Sequence, residues 1–112
     1  MWTHVYSSEL LLLECHRAID RSRLLQQIGD KERAELETRL GEVTDRLDLI
    51  PVTKEIMTRA GGSFPTVVAT LDALHVASAL ATRGGNPKLS TVATHDLQMA
   101  RAAASLGFEV IG

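Results

Sequence analysis

TVATHDLQMARAAASLGFEVI, residues 91–111, reads as strand, helix, strand. Thr91 to Thr94 is a short run suited to a strand. Leu97 to Leu106 is alanine-rich and has the spacing of a helix, and Gly107 is its natural stop. Phe108 to Ile111 is a second apolar strand. Asp96 stands at the junction, where its side chain can cap the helix. A strand that returns through a helix to another strand builds a parallel sheet.

The same alternation extends outward. A helix is expected from about Val67 to Thr82, stopping at Gly84-Gly85-Asn86-Pro87, and Ser63-Phe64-Pro65 is a turn before it. Thr53 can cap a short helix through Ile56, Met57 and Ala60, ended by Gly61-Gly62. Leu47 to Val52 reads as a strand near a sheet edge because of Pro51. From Asp30 to Asp48, 11 of 19 residues are charged, yet Leu36, Leu40, Val43 and Leu47 recur at helical spacing. That is an amphipathic helix with a solvated face and one apolar stripe, either core or partner surface. Gly29-Asp30 breaks it from a first helix that starts near Glu9, with Ser7 and Ser8 as caps. This helix turns basic at Arg17, Arg21 and Arg23. His4-Val5-Tyr6 is a short opening strand. The expected fold is α/β, one domain over residues 1–112, with a mainly parallel sheet flanked by helices.

With one Trp, one Tyr and two Phe, a mainly aliphatic core is expected. The net charge of −2 gives no global basic field for polyanions, which argues against tight non-specific nucleic-acid binding. It leaves room for a metal-dependent nuclease, because bound cations offset acids in a site. A lone cysteine, Cys15, allows no intrachain disulfide. No apolar run reaches the roughly 20 residues of a membrane span, and the N-terminus lacks signal-peptide features. A cytoplasmic protein is expected.

Acids are scarce in the second half: from Ala60 to Gly112 there are only Asp72, Asp96 and Glu109. Asp72 lies near the start of an apolar helix and Asp96 at the end of a strand. In a parallel sheet, helix starts and strand carboxyl ends share one edge, where such sheets bind ligands. Glu14 is two turns into the first helix. Three carboxylates converging there would repel one another unless a divalent cation relieved them, and oxygen donors favour Mg²⁺ or Mn²⁺. Singly, each acid has a plainer role. Asp96 can be a helix cap, Asp72 a first-turn acid, and Glu14 an ion-pair partner of Arg17 or Arg21. Cys15 reads as a small apolar residue.

At these residues the sequence resembles the PIN-domain nucleases, especially the VapC-like ribonuclease toxins of bacterial toxin–antitoxin pairs. Val5-Tyr6-Ser7-Ser8 followed by Glu14 looks like the family's second strand and acidic helix. Leu71-Asp72-Ala73-Leu74-His75-Val76-Ala77 is similar to its Leu-Asp-Ala-(Ile/Leu)-His-Leu-Ala segment. Thr94-His95-Asp96 resembles its Thr-(Tyr/His/Phe)-Asp, and Ala100 to Val110 its last helix, Leu-Gly turn and strand. The resemblance implies a small three-layer fold and an Mg²⁺ or Mn²⁺ site that hydrolyses RNA with a metal-activated water. Glu14, Asp72 and Asp96 would be its catalytic metal-site acids, with Thr94 in support. His75 and His95 would pack or hydrogen-bond nearby. A cognate antitoxin and a homodimer are the implied partners.

Two departures stand out. No hydrophobic strand bearing the family's first Asp precedes His4, and Asp20 and Asp30 lie in the wrong context to replace it. Ala69 is apolar where a basic residue is common. The chain is therefore expected to be N-terminally short. A truncated or misassigned start, a degenerate relative, or edges covered by another chain would each account for this. The competing reading is a non-catalytic PIN-like module for self-association or antitoxin binding. A third is an unrelated α/β binding domain with capping aspartates, indifferent to metal.

Overall fold

The computed structural model describes residues 4–112. Strands and helices alternate as β1 (Tyr6–Ser8), α1 (Leu10–Leu24), α2 (Asp30–Thr44), β2 (Asp48–Ile50), α3 (Lys54–Ala60), α4 (Thr70–Gly85), β3 (Thr91–Ala93), α5 (Leu97–Ser105) and β4 (Glu109–Ile111). The chain divides into two compact units, Met1–Pro51 and Val52–Gly112.

In the first unit, β1 pairs in parallel with β2, Tyr6 opposite Asp48 and Ser8 opposite Ile50. The strand lies two residues later than expected. Val5 joins only through its carbonyl, which accepts from the Asp48 N–H, and His4 meets Asp48 through its ring at 3.2 Å. The buried Ser8 hydroxyl accepts from the Leu10 N–H, but the N-cap of α1 is Glu9, without a side-chain cap bond, so neither serine caps the helix as expected and Glu9 lies outside its first turn. The break before α2 falls at Gly29, whose N–H donates to Glu32 at 3.4 Å. His16 of α1 and Glu37 of α2 pair at 2.8 Å. Arg17 and Arg23 both grip Asp20, and the Arg23 hydrogen bond foremost holds that carboxyl below its usual range. Among the described residues, this unit has no fully buried apolar side chain. The α2 stripe is only partly covered, with Leu36 and Val43 exposed.

The second unit holds the core. Val92 of β3, Ala103 of α5 and Phe108 form a buried cluster, with Leu80, Met99, Leu106 and Val110 against it. Ala73, Val76 and Ala77 present the buried face of α4, at the i, i+3, i+4 spacing of one helix side. Thr53 caps α3 through the Ile56 N–H at 3.2 Å. Helix α4 begins at Thr70 rather than Val67. The β-branched Val67 and Val68 disfavour a helix start, and extended Ala69 supplies the first carbonyl, to the Ala73 N–H. Strands β3 and β4 pair in parallel, Val92 opposite Val110.

Each unit thus contributes one parallel ladder of two strands, in keeping with the parallel α/β pattern read from the sequence. Each ladder joins strands that are consecutive in its own unit.

Gly107 makes the βαβ turn possible. It has φ +89°, its N–H bonds to the Ala104 carbonyl, and the Phe108 N–H returns to Ala103 at 3.1 Å. This is the Schellman closure, which needs a left-handed residue after the helix. Gly107→Ala is expected to cost about 1–2 kcal/mol from backbone strain. Urea unfolding checks this, and a shift under 0.3 kcal/mol would contradict it.

Candidate active site

Asp96 is fixed more closely than the other candidates. It follows β3 in extended conformation and its Oδ1 accepts the Met99 N–H at 2.8 Å, capping α5. Its own N–H donates to Thr94 Oγ1 at 3.1 Å, and the Thr94 N–H donates to the Ile111 carbonyl at 3.0 Å. Thr94 therefore links the β4 ladder to the backbone that carries Asp96. The residue is exposed, and Oδ2 is the oxygen not used in the cap. The amino end of α5 favours a negative charge there.

Asp72 occupies the first turn of α4 and is half-buried. His75 follows one turn later, also half-buried, whereas His95 is exposed. Asp72 and Asp96 thus belong to the second unit and stand at the amino ends of its two longest helices.

Glu14 belongs to the first unit, on α1, and is half-buried. Arg17, one candidate partner for it, pairs with Asp20. Burial first, and the Glu14 carboxylate second, push the Cys15 thiol above its ordinary value. Cys15 is thus a built-in reporter of charge at Glu14, and the chain has no other cysteine. Glu14→Gln removes the electrostatic cause and lowers the thiol pKa. Alkylation by iodoacetamide at pH 7.5 is then expected to quicken, because more of the thiol is ionised. Mass spectrometry of the modified fraction over time checks this, and an unchanged rate would refute the coupling.

Among the described residues, no group of three or more His, Cys, Asp or Glu could hold a metal ion. Hard carboxylate donors of the right kind are present, but the described residues do not themselves make up a closed metal site. The sequence reading also missed two arginine–phenylalanine stacks, Arg59 over Phe64 at 4.4 Å and Arg83 over Phe108 at 4.0 Å. With only two phenylalanines in the chain, each is engaged. Sequence separation gave no signal for the second pair, 25 residues apart by number.

A family profile described as PIN domain matches residues 2–105. Ribonuclease VapC46 of Mycobacterium tuberculosis is 40% identical over 65 residues, covering 58% of this chain and 48% of the relative. The match thus spans about half the length of that curated protein. No solved structure gave a significant match.

Proposed function

This chain belongs to the PIN-domain family, and on that premise we propose that it acts as a VapC-like, Mg²⁺- or Mn²⁺-dependent endoribonuclease. The observation that carries the reading is Asp96: an exposed carboxylate at the carboxyl end of a parallel strand, anchored through Thr94, with one oxygen uncommitted to its cap. Open α/β sheets bind ligands at that end. The partial likeness to a VapC ribonuclease supports the same chemistry.

Glu14, Asp72 and Asp96 are the proposed metal-site acids, and Thr94 is a positioning residue for Asp96. A divalent ion held by such oxygens polarises a phosphodiester and lowers the pKa of water. The implied partners are RNA, a small antitoxin that places a basic group among the acids, and a second copy of the chain. Among the described residues no helix is long and apolar enough to cross a membrane, and a cytoplasmic setting belongs to the proposal.

The second reading, a PIN-like module without turnover, is favoured by the absence of a three-acid cluster among the described residues. Two measurements on the purified chain decide between them. Incubation with mixed RNA and Mn²⁺ or Mg²⁺ is expected to give cleavage that EDTA abolishes. The same ions are expected to raise the melting temperature, since a ligand bound only by the folded state stabilises it. Folded protein that neither cleaves nor responds to metal would leave the module reading.

A further inference from the structure

Lys54, Thr58 and Gly62 recur at four-residue spacing along α3 and the turn after it, and with Arg59 they line an open groove in the second unit. Glu55 is the one carboxylate on that groove and occupies the first turn of α3.

The Arg59 guanidinium is held in place twice. Its central carbon lies 4.4 Å from the Phe64 ring centroid, and Nη1 donates to the Ser63 carbonyl at 3.0 Å. Gly62 lies beside this arrangement: a Cβ there would be in ordinary contact with Nη1 at 3.6 Å and would crowd the Arg59 carbonyl oxygen at 3.3 Å. A guanidinium has five N–H donors, and the Ser63 carbonyl takes one. The ion pairs His4–Asp48, His16–Glu37, Arg17–Asp20 and Arg23–Asp20 involve neither Arg59 nor Lys54.

An arginine fixed on an aromatic ring and a flanking lysine suit the phosphates of a single-stranded nucleic acid, which seek oriented cations. The chain as a whole carries −2. A polyanion must then be received locally, where cations are presented without carboxylates paired to them. If Arg59 only closed the turn after α3, its loss would change stability and leave no salt-dependent signature.

We propose that Arg59 and Lys54 contact the phosphate backbone of single-stranded RNA, Arg59 as the oriented donor and Lys54 as the flanking charge. This rests on the ribonuclease reading and names where its substrate is gripped outside the acidic residues.

The test uses the full chain carrying Asp96→Asn, so that RNA survives, and a fluorescein-labelled single-stranded RNA of mixed sequence. Anisotropy titrations run from about 50 to 200 mM salt, the range over which phosphate contacts are most visible. Adding Arg59→Ala is expected to weaken binding about three- to tenfold and to flatten the log–log salt slope by about 0.7, one phosphate's share on a single strand. Lys54→Ala is expected to flatten it similarly, and Arg59→Lys to recover most of the slope. Should Arg59→Ala melt at the assay temperature, Lys54→Ala, altering an exposed helix residue, decides alone. Parental affinity and slope in both alanine variants would overturn the proposal while leaving the ribonuclease reading intact. A parent that binds no RNA, with a native chain that cleaves none, would overturn both.

Discussion

Asp96→Asn is expected to lower metal-dependent RNA cleavage at least about a hundredfold, a barrier increase of about 2.7 kcal/mol, while leaving the fold in place. The two halves of this expectation come from the two oxygens. Oδ1 caps α5 through Met99, and asparagine caps a helix as well as aspartate does. What asparagine removes is the negative charge and one hard oxygen donor, the properties a divalent ion requires. Asp96→Ala removes cap and charge together, so it should match Asp96→Asn in activity but unfold about 1 kcal/mol more easily. Cleavage kinetics and urea melts of the two variants separate the roles. If Asp96→Asn cleaves at the native rate, the residue is a cap only and the ribonuclease reading loses its anchor.

The Thr94–Asp96 segment also shows how far sequence carries. Strand, cap, helix and Gly107 stop were all legible between residues 91 and 111, because each rests on local rules of period, capping and left-handed glycine. Thr53 and the Gly29 break were legible for the same reason. The start of α4 was misplaced by three residues, since the apolar Val67 and Val68 fit a helix by period but not by backbone preference. The parallel β3–β4 pairing was legible as well, since a strand that returns through one helix lies parallel to its predecessor. The β1–β2 pairing was harder to read, because two helices separate those strands in the chain. The acids were found as residues, and Asp96 and Asp72 take the helix-end positions expected of them. The proposed metal site would depend on long-range geometry that spacing does not encode. Arg59 and Arg83 escaped notice for a related reason, because a cation over a ring leaves no periodic trace.

Phe108→Ala is expected to cost the second unit about 3–5 kcal/mol, the usual penalty for emptying a buried aromatic site. Phe108 is 5% exposed and stands between Val92 of β3 and Ala103 of α5, so its ring joins the ladder to the helix. Its backbone also closes the Schellman turn on Ala103. Ala102 and Ala103 on the buried face of α5 are wholly buried and too small to fill the space. Arg83, 4.0 Å above the ring, would lose a favourable contact of about 0.5–1 kcal/mol, already within that total. Against a typical stability of about 5–15 kcal/mol, the loss is large enough to populate unfolded protein at room temperature in a marginal case. With a urea slope of about 1–3 kcal/mol/M, the midpoint should fall by more than about 1 M. Leu24→Ala provides the contrast: that side chain is 62% exposed, in a unit without a buried apolar core among its described residues, and its cost should stay below about 1 kcal/mol. Equal losses from the two substitutions would mean that stability is not concentrated around Phe108. A large loss from Phe108→Ala alone places it there, in the unit that also carries Asp72 and Asp96. The same packing that stabilises the unit then fixes the β3–α5 junction on which Asp96 depends.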